Sequence, residues 1–291
     1  GAKTPAEVSF NITAVNDAPE ATYTTDLSTS EGSVALIGQL AATDADNSDS
    51  LTFSAVNNID GLTINPDGSF SFDASGEAYN SLAAGETQDI TVDYSVSDGT
   101  TSATNSFVIS VTGTNDAPVA TFSEPQTATE DDPSIGGTLS ATDSDSADTL
   151  SFQLLGSDIP GLTINPDGTW SFDPTNTAYQ GLADGESQTI TVNYGVSDNN
   201  GALAQNSFSI NLTGSNDAPV ASAAALVLPS IQEDSSLSFS AAQLLSGITD
   251  TDGDNLTVVD GSLSLATGDG QISGDAASGW TFTPNADFNG E

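Results

Sequence analysis

The sequence predicts an all-β chain, a tandem of Greek-key β-sandwiches joined by short linkers, and three observations carry that prediction. Asn-Asp-Ala-Pro occurs three times, at residues 16–19, 115–118 and 216–219. The copies lie about 100 residues apart, the size of one small domain. Between them, apolar and polar residues alternate in short runs bounded by Gly, Asn and Asp, the period of half-buried strands. Finally, the stretches between the copies repeat nearly verbatim: Gly61-Leu62-Thr63-Ile64-Asn65-Pro66-Asp67-Gly68 returns as Gly161 to Gly168.

The elements follow in order. Residues 1–15 read as the terminal strand of a preceding repeat, because Val8, Phe10 and Ile12 alternate as Phe107, Ile109 and Val111 do before the second Asn-Asp-Ala-Pro. Residues 16–114 form the first repeat, 115–215 the second and 216–291 a truncated third. In the first, Ala21 to Leu27 is predicted as one strand, turned at Ser30-Glu31-Gly32, with Val34 to Leu40 returning. Asn65-Pro66-Asp67-Gly68 is a hairpin turn, with Pro and Gly where a turn requires them. Residues 76–88 lack alternation and are expected to hold a helical turn, with Tyr79 and Leu82 facing the core. Ile90, Val92, Tyr94 and Val96 alternate cleanly and are matched by Ile190, Val192, Tyr194 and Val196. About seven short strands in each repeat, with turn signals between them, is the pattern of an immunoglobulin-like sandwich. The third repeat keeps an Asp-rich loop at Asp250 to Asp254, but a Gly-rich stretch from Gly268 to Gly279 replaces the Asn-Pro-Asp-Gly hairpin. Lacking two core strands, it is expected to be the least stable part, with an open sheet edge.

Composition narrows the function. Among 291 residues there are 41 Asp plus Glu and a single basic residue, Lys3, for a net charge of −40. Nucleic acid and anionic membrane surfaces both require basic patches, so neither is a partner. Without Cys there is no disulfide framework. No run of about 18 or more apolar residues exists to span a membrane. The sequence starts inside one repeat and stops inside another, so it is expected to be a piece of a longer chain.

Strands of a sandwich run alternately up and down, and this sorts the loops by end. Glu31 and the Asn115-Asp116 linker fall at the bottom of repeat one, where Asp143, Asp145 and Asp198 arrive from the top of repeat two. Several carboxylates and one amide around a four-residue linker repel one another unless a cation lies between them. An all-oxygen set without His or Cys selects a hard cation, Ca2+. In an extended chain the two acids of Asp-x-Asp point the same way and can share one ion. The predicted metal ligands are therefore Glu31, Asn115, Asp116, Asp143, Asp145 and Asp198 at the central junction. Asn16, Asp17, Asp44, Asp46 and Asp98 are their counterparts before it, and Glu130, Asn216, Asp217, Asp250 and Asp252 those after it. Glu86 and Glu186 lie at the same end and stay open as contributors. Asp67 and Asp167 are assigned to turns. Asp250 to Asp254 begins like an EF-hand, but the bidentate position falls on Gly261, and the Gly-Gly-x-Gly-x-Asp nonapeptide is absent.

Taken together, Asn-Asp-Ala-Pro, Ala-Thr-Asp-x-Asp, Gly-Leu-Thr-Ile-Asn-Pro-Asp-Gly, Ser-Phe-Asp and Val-Ser-Asp make residues 16–213 resemble tandem VCBS-type repeats of large RTX-type bacterial adhesins. Asp-Thr-Asp-Gly-Asp and Phe-Thr-Pro-Asn-Ala-Asp-Phe-Asn-Gly make residues 216–291 resemble bacterial cadherin-like repeats. The cadherin resemblance implies a site built from a Glu of the upper domain, an Asn-Asp linker and an Asp-x-Asp of the lower one. Glu31, Asn115, Asp116, Asp143 and Asp145 match those roles in order, whereas the later acidic pair of cadherins has no clear match, Glu77 becoming Thr177. The resemblance implies a secreted or cell-surface, non-enzymatic extender stiffened by calcium, whose partners are neighbouring repeats of the same chain. The alternative is a sandwich that binds a carbohydrate or protein ligand. Acids that recur in every repeat suit structure better than a single carboxylate active site.

Overall fold

The computed structural model describes residues 1, 3, 5–46, 49–221, 226–232, 234–266 and 269–288. In the first repeat these form β1 (Glu20–Ala21), β2 (Leu27–Ser30), β3 (Leu36–Gln39), β4 (Ala42–Thr43), β5 (Thr52–Ala55), β6 (Leu62–Ile64), β7 (Ser69–Phe72), β8 (Thr87–Ser97) and β9 (Ser102–Thr112). One sheet has the order β2-β9-β8-β5 and the other β3-β7-β6, while β1 pairs with β4. The long pair β8–β9 is in register from Thr87 opposite Thr112 to Ser97 opposite Ser102. Every second residue faces inward, so Val92, Tyr94 and Val96 are buried with Phe107, Ile109 and Val111. Phe70 and Phe72 of β7 close the core from the opposite sheet. Their rings meet Tyr23, Phe107 and Tyr79 at centroid separations of 5.4–5.9 Å.

The strand predicted over residues 21–27 is broken in two. β1 pairs antiparallel with β4, and β2 runs parallel to β9, Leu27 opposite Ile109. The break is stabilised from the far side of the core. The Tyr94 hydroxyl accepts from the Tyr23 N–H at 2.9 Å and donates to the Tyr23 carbonyl at 3.0 Å. Asn105 Nδ2 donates to the Ala21 carbonyl, and Asp26 Oδ1 accepts from the Val108 N–H. Backbone groups that leave one sheet for the other are thus satisfied by side chains. The helical turn expected in 76–88 is instead a pair of tight turns, Tyr79 N–H to Gly76 O and Leu82 N–H to Tyr79 O. They still bury Tyr79 and Leu82.

The second repeat has the same order: β10 (Val119–Ala120), β11 (Gln126–Thr129), β12 (Ile135–Thr138), β13 (Ala141–Thr142), β14 (Ser151–Leu154), β15 (Leu162–Ile164), β16 (Thr169–Phe172), β17 (Ser187–Ser197) and β18 (Leu203–Thr213). Its sheets are ordered β11-β18-β17-β14 and β12-β16-β15, with β10 against β13. Trp170 replaces Phe70, is 4% exposed, and packs on Phe208 at 5.0 Å and Phe122 at 6.5 Å. In both repeats the hairpin acid serves the turn, Asp67 Oδ1 accepting from the N–H and hydroxyl of Ser69 and Asp167 Oδ1 from those of Thr169.

The third segment contains β19 (Val220–Ala221), β20 (Leu237–Phe239), α1 (Ala241–Leu244), β21 (Ile248–Thr249), β22 (Gly270–Asp275) and β23 (Gly279–Pro284). The helix was not expected. Ser240 and Gln243 form its capping box, each side chain bonding the other's backbone N–H. The Gly-rich stretch that replaces the Asn-Pro-Asp-Gly sequence supplies β22 and the turn into β23, and so forms a hairpin of its own. Gly268, the loop residues 47 and 48, and the final Asn289-Gly290 of the quoted motif lie outside the described residues.

Residues 8–12 are not a strand. Val8, Phe10 and Ile12 are exposed, and no described segment pairs with them; alternation makes a strand only where a neighbour supplies the ladder. By packing, the chain divides into two compact units, residues 1–121, 140–152 and 195–205, and residues 122–139, 153–194 and 206–291. Each acidic linker described below lies wholly inside one unit.

Candidate metal centres

Within the first unit the linker Asn115-Asp116 leaves β9 and meets the loop after β13. The Asp116 N–H donates to Asp145 Oδ2 at 2.8 Å, and Asn115 Nδ2 donates to Asp198 Oδ2 at 2.8 Å. Glu31, at the turn after β2, accepts through Oε1 from the Thr114 N–H at 2.7 Å and from the Thr114 hydroxyl at 3.1 Å. Carboxylate oxygens of Glu31, Asp116 and Asp145 lie within 4.8 Å of one another. Asp143, Asp148 and Asp198 form a second such group. Glu31, Asp145 and Asp198 are buried.

The paired acids differ between linkers: Asp250 and Asp252 fall in one group, and Asp143 and Asp145 in two. Asp145 joins Glu31 and Asp116, whereas Asp143 joins Asp148 and Asp198. The Asp145 N–H donates to Asp143 Oδ1 at 3.0 Å, a local turn of the kind Asp side chains favour. The same bond recurs from the Asp46 N–H to Asp44 Oδ1 and from the Asp252 N–H to Asp250 Oδ1.

The other linkers repeat the plan with different surroundings. Asp17 N–H donates to Asp46 Oδ2, Asn16 Nδ2 donates to Asp98 Oδ2, and Asp44, Asp49 and Asp98 form a group. Asn16 and Asp17 are exposed, and no described Glu stands where Glu31 stands at the central linker. In the second unit Asp217 N–H donates to Asp252 Oδ2 at 2.7 Å, and Glu130 Oε1 accepts from the Ser215 N–H at 2.8 Å. Asp250, Asp252 and Asp254 group together, and Asn216 caps its own linker through the Asp217 carbonyl. Glu86 and Glu186 accept from the N–H groups of Ala83 and Ala183 and belong to none of the acid groups. Asp49, Asp148 and Asp254 were missed from sequence. The signal was present, because Asp49 and Asp148 each stand three residues after the second acid of their pair.

Burial raises the proton affinity of Asp145, and the charges of Asp116, Asp148 and Asp143 raise it further. Glu130 and Asp217 are raised in the same way, by burial first and then by neighbouring acids. Asp198 is lowered, chiefly by the Asn115 amide, and Asp98 strongly so, by the Thr101 N–H and by Asn16. The donor set fits a hard cation. Apart from Trp170 Nε1, every buried side-chain N or O without a hydrogen-bond partner among the described residues belongs to these acidic ends. They are Glu31 Oε2, Asp44 Oδ2, Asn115 Oδ1, Glu130 Oε2, Asp143 Oδ2, Asp145 Oδ1 and Asp252 Oδ1. An unmet buried polar group costs roughly 1–3 kcal/mol and a charged one more. Like charges about 5 Å apart add roughly 3 kcal/mol per pair at an effective dielectric of about 20. All seven atoms are oxygens, the ligand type of Ca2+.

Three contiguous stretches match known domain families: residues 16–112 a bacterial Ig domain, residues 115–214 a bacterial cadherin-like domain, and residues 215–291 a cadherin-like domain. The chain is thus a tandem of immunoglobulin-like and cadherin-like β-sandwich domains. Such domains are usually extracellular structural or adhesion modules, and no described helix is long and apolar enough to cross a membrane. Among solved structures, the extracellular cadherin domains 1–4 of protocadherin gamma B7 are 15% identical over 92% of this chain and 68% of that one, with a TM-score of 0.45. The human desmocollin-1 ectodomain is 13% identical over 93% and 53%, with a TM-score of 0.39. Human protocadherin-24 EC1-2 is 19% identical over 68% and 99%, with a TM-score of 0.44. Comparison with curated proteins finds no match.

Proposed function

We propose that this chain is a non-enzymatic extender segment of a secreted bacterial surface adhesin, of the VCBS-repeat, RTX type, whose repeats are stiffened by calcium at their linkers. The observation that carries this reading is the buried, unpartnered oxygens of Glu31, Asn115 and Asp145 around Asp116, with Glu130 and Asp252 in the same condition beside Asp217. The ligands proposed at the central linker are Glu31, Asn115, Asp116 and Asp145, with Asp143, Asp148 and Asp198 alongside. Asp44, Asp46, Asp49 and Asp98 act with Asn16-Asp17, and Glu130, Asp250 and Asp252 with Asn216-Asp217. An ion there relieves the clustered repulsion and removes freedom at Ala117 and Pro118. Affinity near the roughly 0.1–1 mM of extracellular modules follows from a site that needs two repeats to align. The partners are then neighbouring repeats of the same chain, and the domain limits are 16–114, 115–215 and 216–291, with residues 1–15 belonging to a preceding repeat.

Small-angle scattering with calcium and with chelator tests the proposal. Calcium is expected to lengthen the maximum dimension and narrow its spread, with magnesium much less effective. Identical profiles would reject stiffening.

A further inference from the structure

The outer face of the β3–β7 pair carries a groove that shares no residue with the acid groups. It encloses about 480 Å³ and is lined by Ile37, Gln39, Asn65, Ser69 and Ser71 over a floor at Gly38. The register sets that lining, Ile37 standing opposite Ser71 and Gln39 opposite Ser69. Its volume falls within the roughly 300–1,000 Å³ of small-molecule sites. None of these side chains is charged, in a chain with 41 Asp plus Glu.

The adjoining hairpin turn fixes how the two amides present themselves. The Ser69 hydroxyl gives its proton to Asp67 Oδ1 at 2.7 Å, so it can only accept from Asn65, whose Nδ2 lies 3.0 Å away. The Asp67 carbonyl is an acceptor too, so the Gln39 atom 2.8 Å from it is Nε2. Both amides thus turn their nitrogens to the hairpin and keep their oxygens. Gln39 Oε1, Asn65 Oδ1 and the Ser71 hydroxyl have no partner among the described residues. The groove therefore offers mostly fixed acceptors beside one aliphatic side chain, Ile37, which is 82% exposed. A ligand that suits it is uncharged, rich in hydroxyl donors and apolar on one face, as a pyranose ring is. An extended peptide suits it less, because peptide carbonyls need donors and the turn already engages both amide nitrogens.

We infer that this groove of the first repeat binds a neutral saccharide, Gln39 Oε1 and Asn65 Oδ1 accepting from its hydroxyls and Ile37 covering a C–H face of the ring. The inference goes beyond stiffening at the linkers and does not depend on it. The second repeat supplies a control within the chain. It keeps an oriented amide, Asn165 Nδ2 donating to the Thr169 hydroxyl at 2.9 Å. However, Gly136 and Thr138 stand opposite Ser171 and Thr169, in the places that Ile37 and Gln39 take in the first repeat.

Titration of the full chain with maltotriose, cellotriose and xylotriose, followed by NMR of the backbone amides, tests this. At least one sugar is expected to shift the amides of residues 37–39 and 69–71 saturably, with a Kd of about 1–10 mM as befits a shallow site, and to leave residues 136–138 unmoved. Ile37→Thr with Gln39→Thr removes the apolar cover and the amide while keeping residues that suit a strand. Binding should then weaken by about tenfold or more, with the melting temperature held. No saturable shift with any of the three sugars, equal shifts in both repeats, or binding that survives the double substitution would overturn the inference. So would an equal response to glycerol, which would mark an adventitious additive only, or shifts of these amides on diluting the chain without sugar, which would mark a contact between copies. None of these outcomes bears on calcium at the linkers.

Discussion

The Asp116 N–H and Asp145 Oδ2, 2.8 Å apart, tie a linker to the loop of the following repeat. The same pairing recurs between Asp17 and Asp46 and between Asp217 and Asp252. The bond uses one oxygen of each loop acid, and the other oxygen of Asp145 and of Asp252 is buried without a partner. The linker is therefore positioned by hydrogen bonds that leave its acids available.

Asp145→Asn should separate positioning from binding. The amide oxygen can still accept from the Asp116 N–H, while one charge leaves the group formed with Glu31 and Asp116. In chelator the melting temperature is expected to stay the same or rise. The stabilisation brought by calcium should shrink, its midpoint moving roughly tenfold higher in keeping with a lost carboxylate ligand. Differential scanning calorimetry in both conditions measures this, and an undiminished calcium effect would exclude Asp145 from the ligand set.

Acidification acts in two stages. Glu130, Asp145 and Asp217 hold protons more tightly in the fold than in the unfolded chain, because burial and neighbouring acids disfavour the charge. Their ionised forms burden the fold at neutral pH, so in chelator stability should rise as pH falls through their raised values toward roughly 4. Asp98 and Asp198 shift downward, and the stability they contribute is present above roughly 4 and lost below it. Melts in chelator should show a maximum near pH 4–5, and stability falling steadily from pH 7 would contradict this order.

Trp170→Ala truncates a side chain that is 4% exposed and packed on Phe208. A loss of roughly 3–5 kcal/mol is expected from urea unfolding, as for other large core truncations. The indole N–H, itself without a partner, adds nothing to that loss. A change under about 1 kcal/mol would place the ring outside the cooperative core.

Gly38→Ala tests the opposite defect. A Cβ there would stand 2.3 Å from the Phe70 ring, so the ring or the strand must shift, at a cost of roughly 1–3 kcal/mol. Combining it with Phe70→Leu should cost less than the two changes summed, since the shorter side chain makes room. Full additivity in denaturant melts would show that the contact is not the source.

Repetition and period 2 were legible without coordinates. The alternation through Val92, Tyr94 and Val96, and again through Phe107, Ile109 and Val111, named the buried faces of β8 and β9 because a strand's side chains alternate wherever the strand lies. The up-and-down count of strands also brought Glu31, Asp116 and Asp145 to one end, since it depends only on topology. Three features depended on partners distant in the chain. The break between β1 and β2 is stabilised by the hydroxyl of Tyr94, 71 residues from Tyr23. Residues 8–12 have a strand's alternation but no described neighbour, so they are not a strand. Asp143 and Asp145 divide between two acid groups because Asp145 meets Glu31 and Asp116, more than 25 residues away, while Asp143 meets Asp198, 55 residues on. Local pattern determines what each residue can bury. Which hydrogen bonds and charges meet is decided only when the chain has closed on itself.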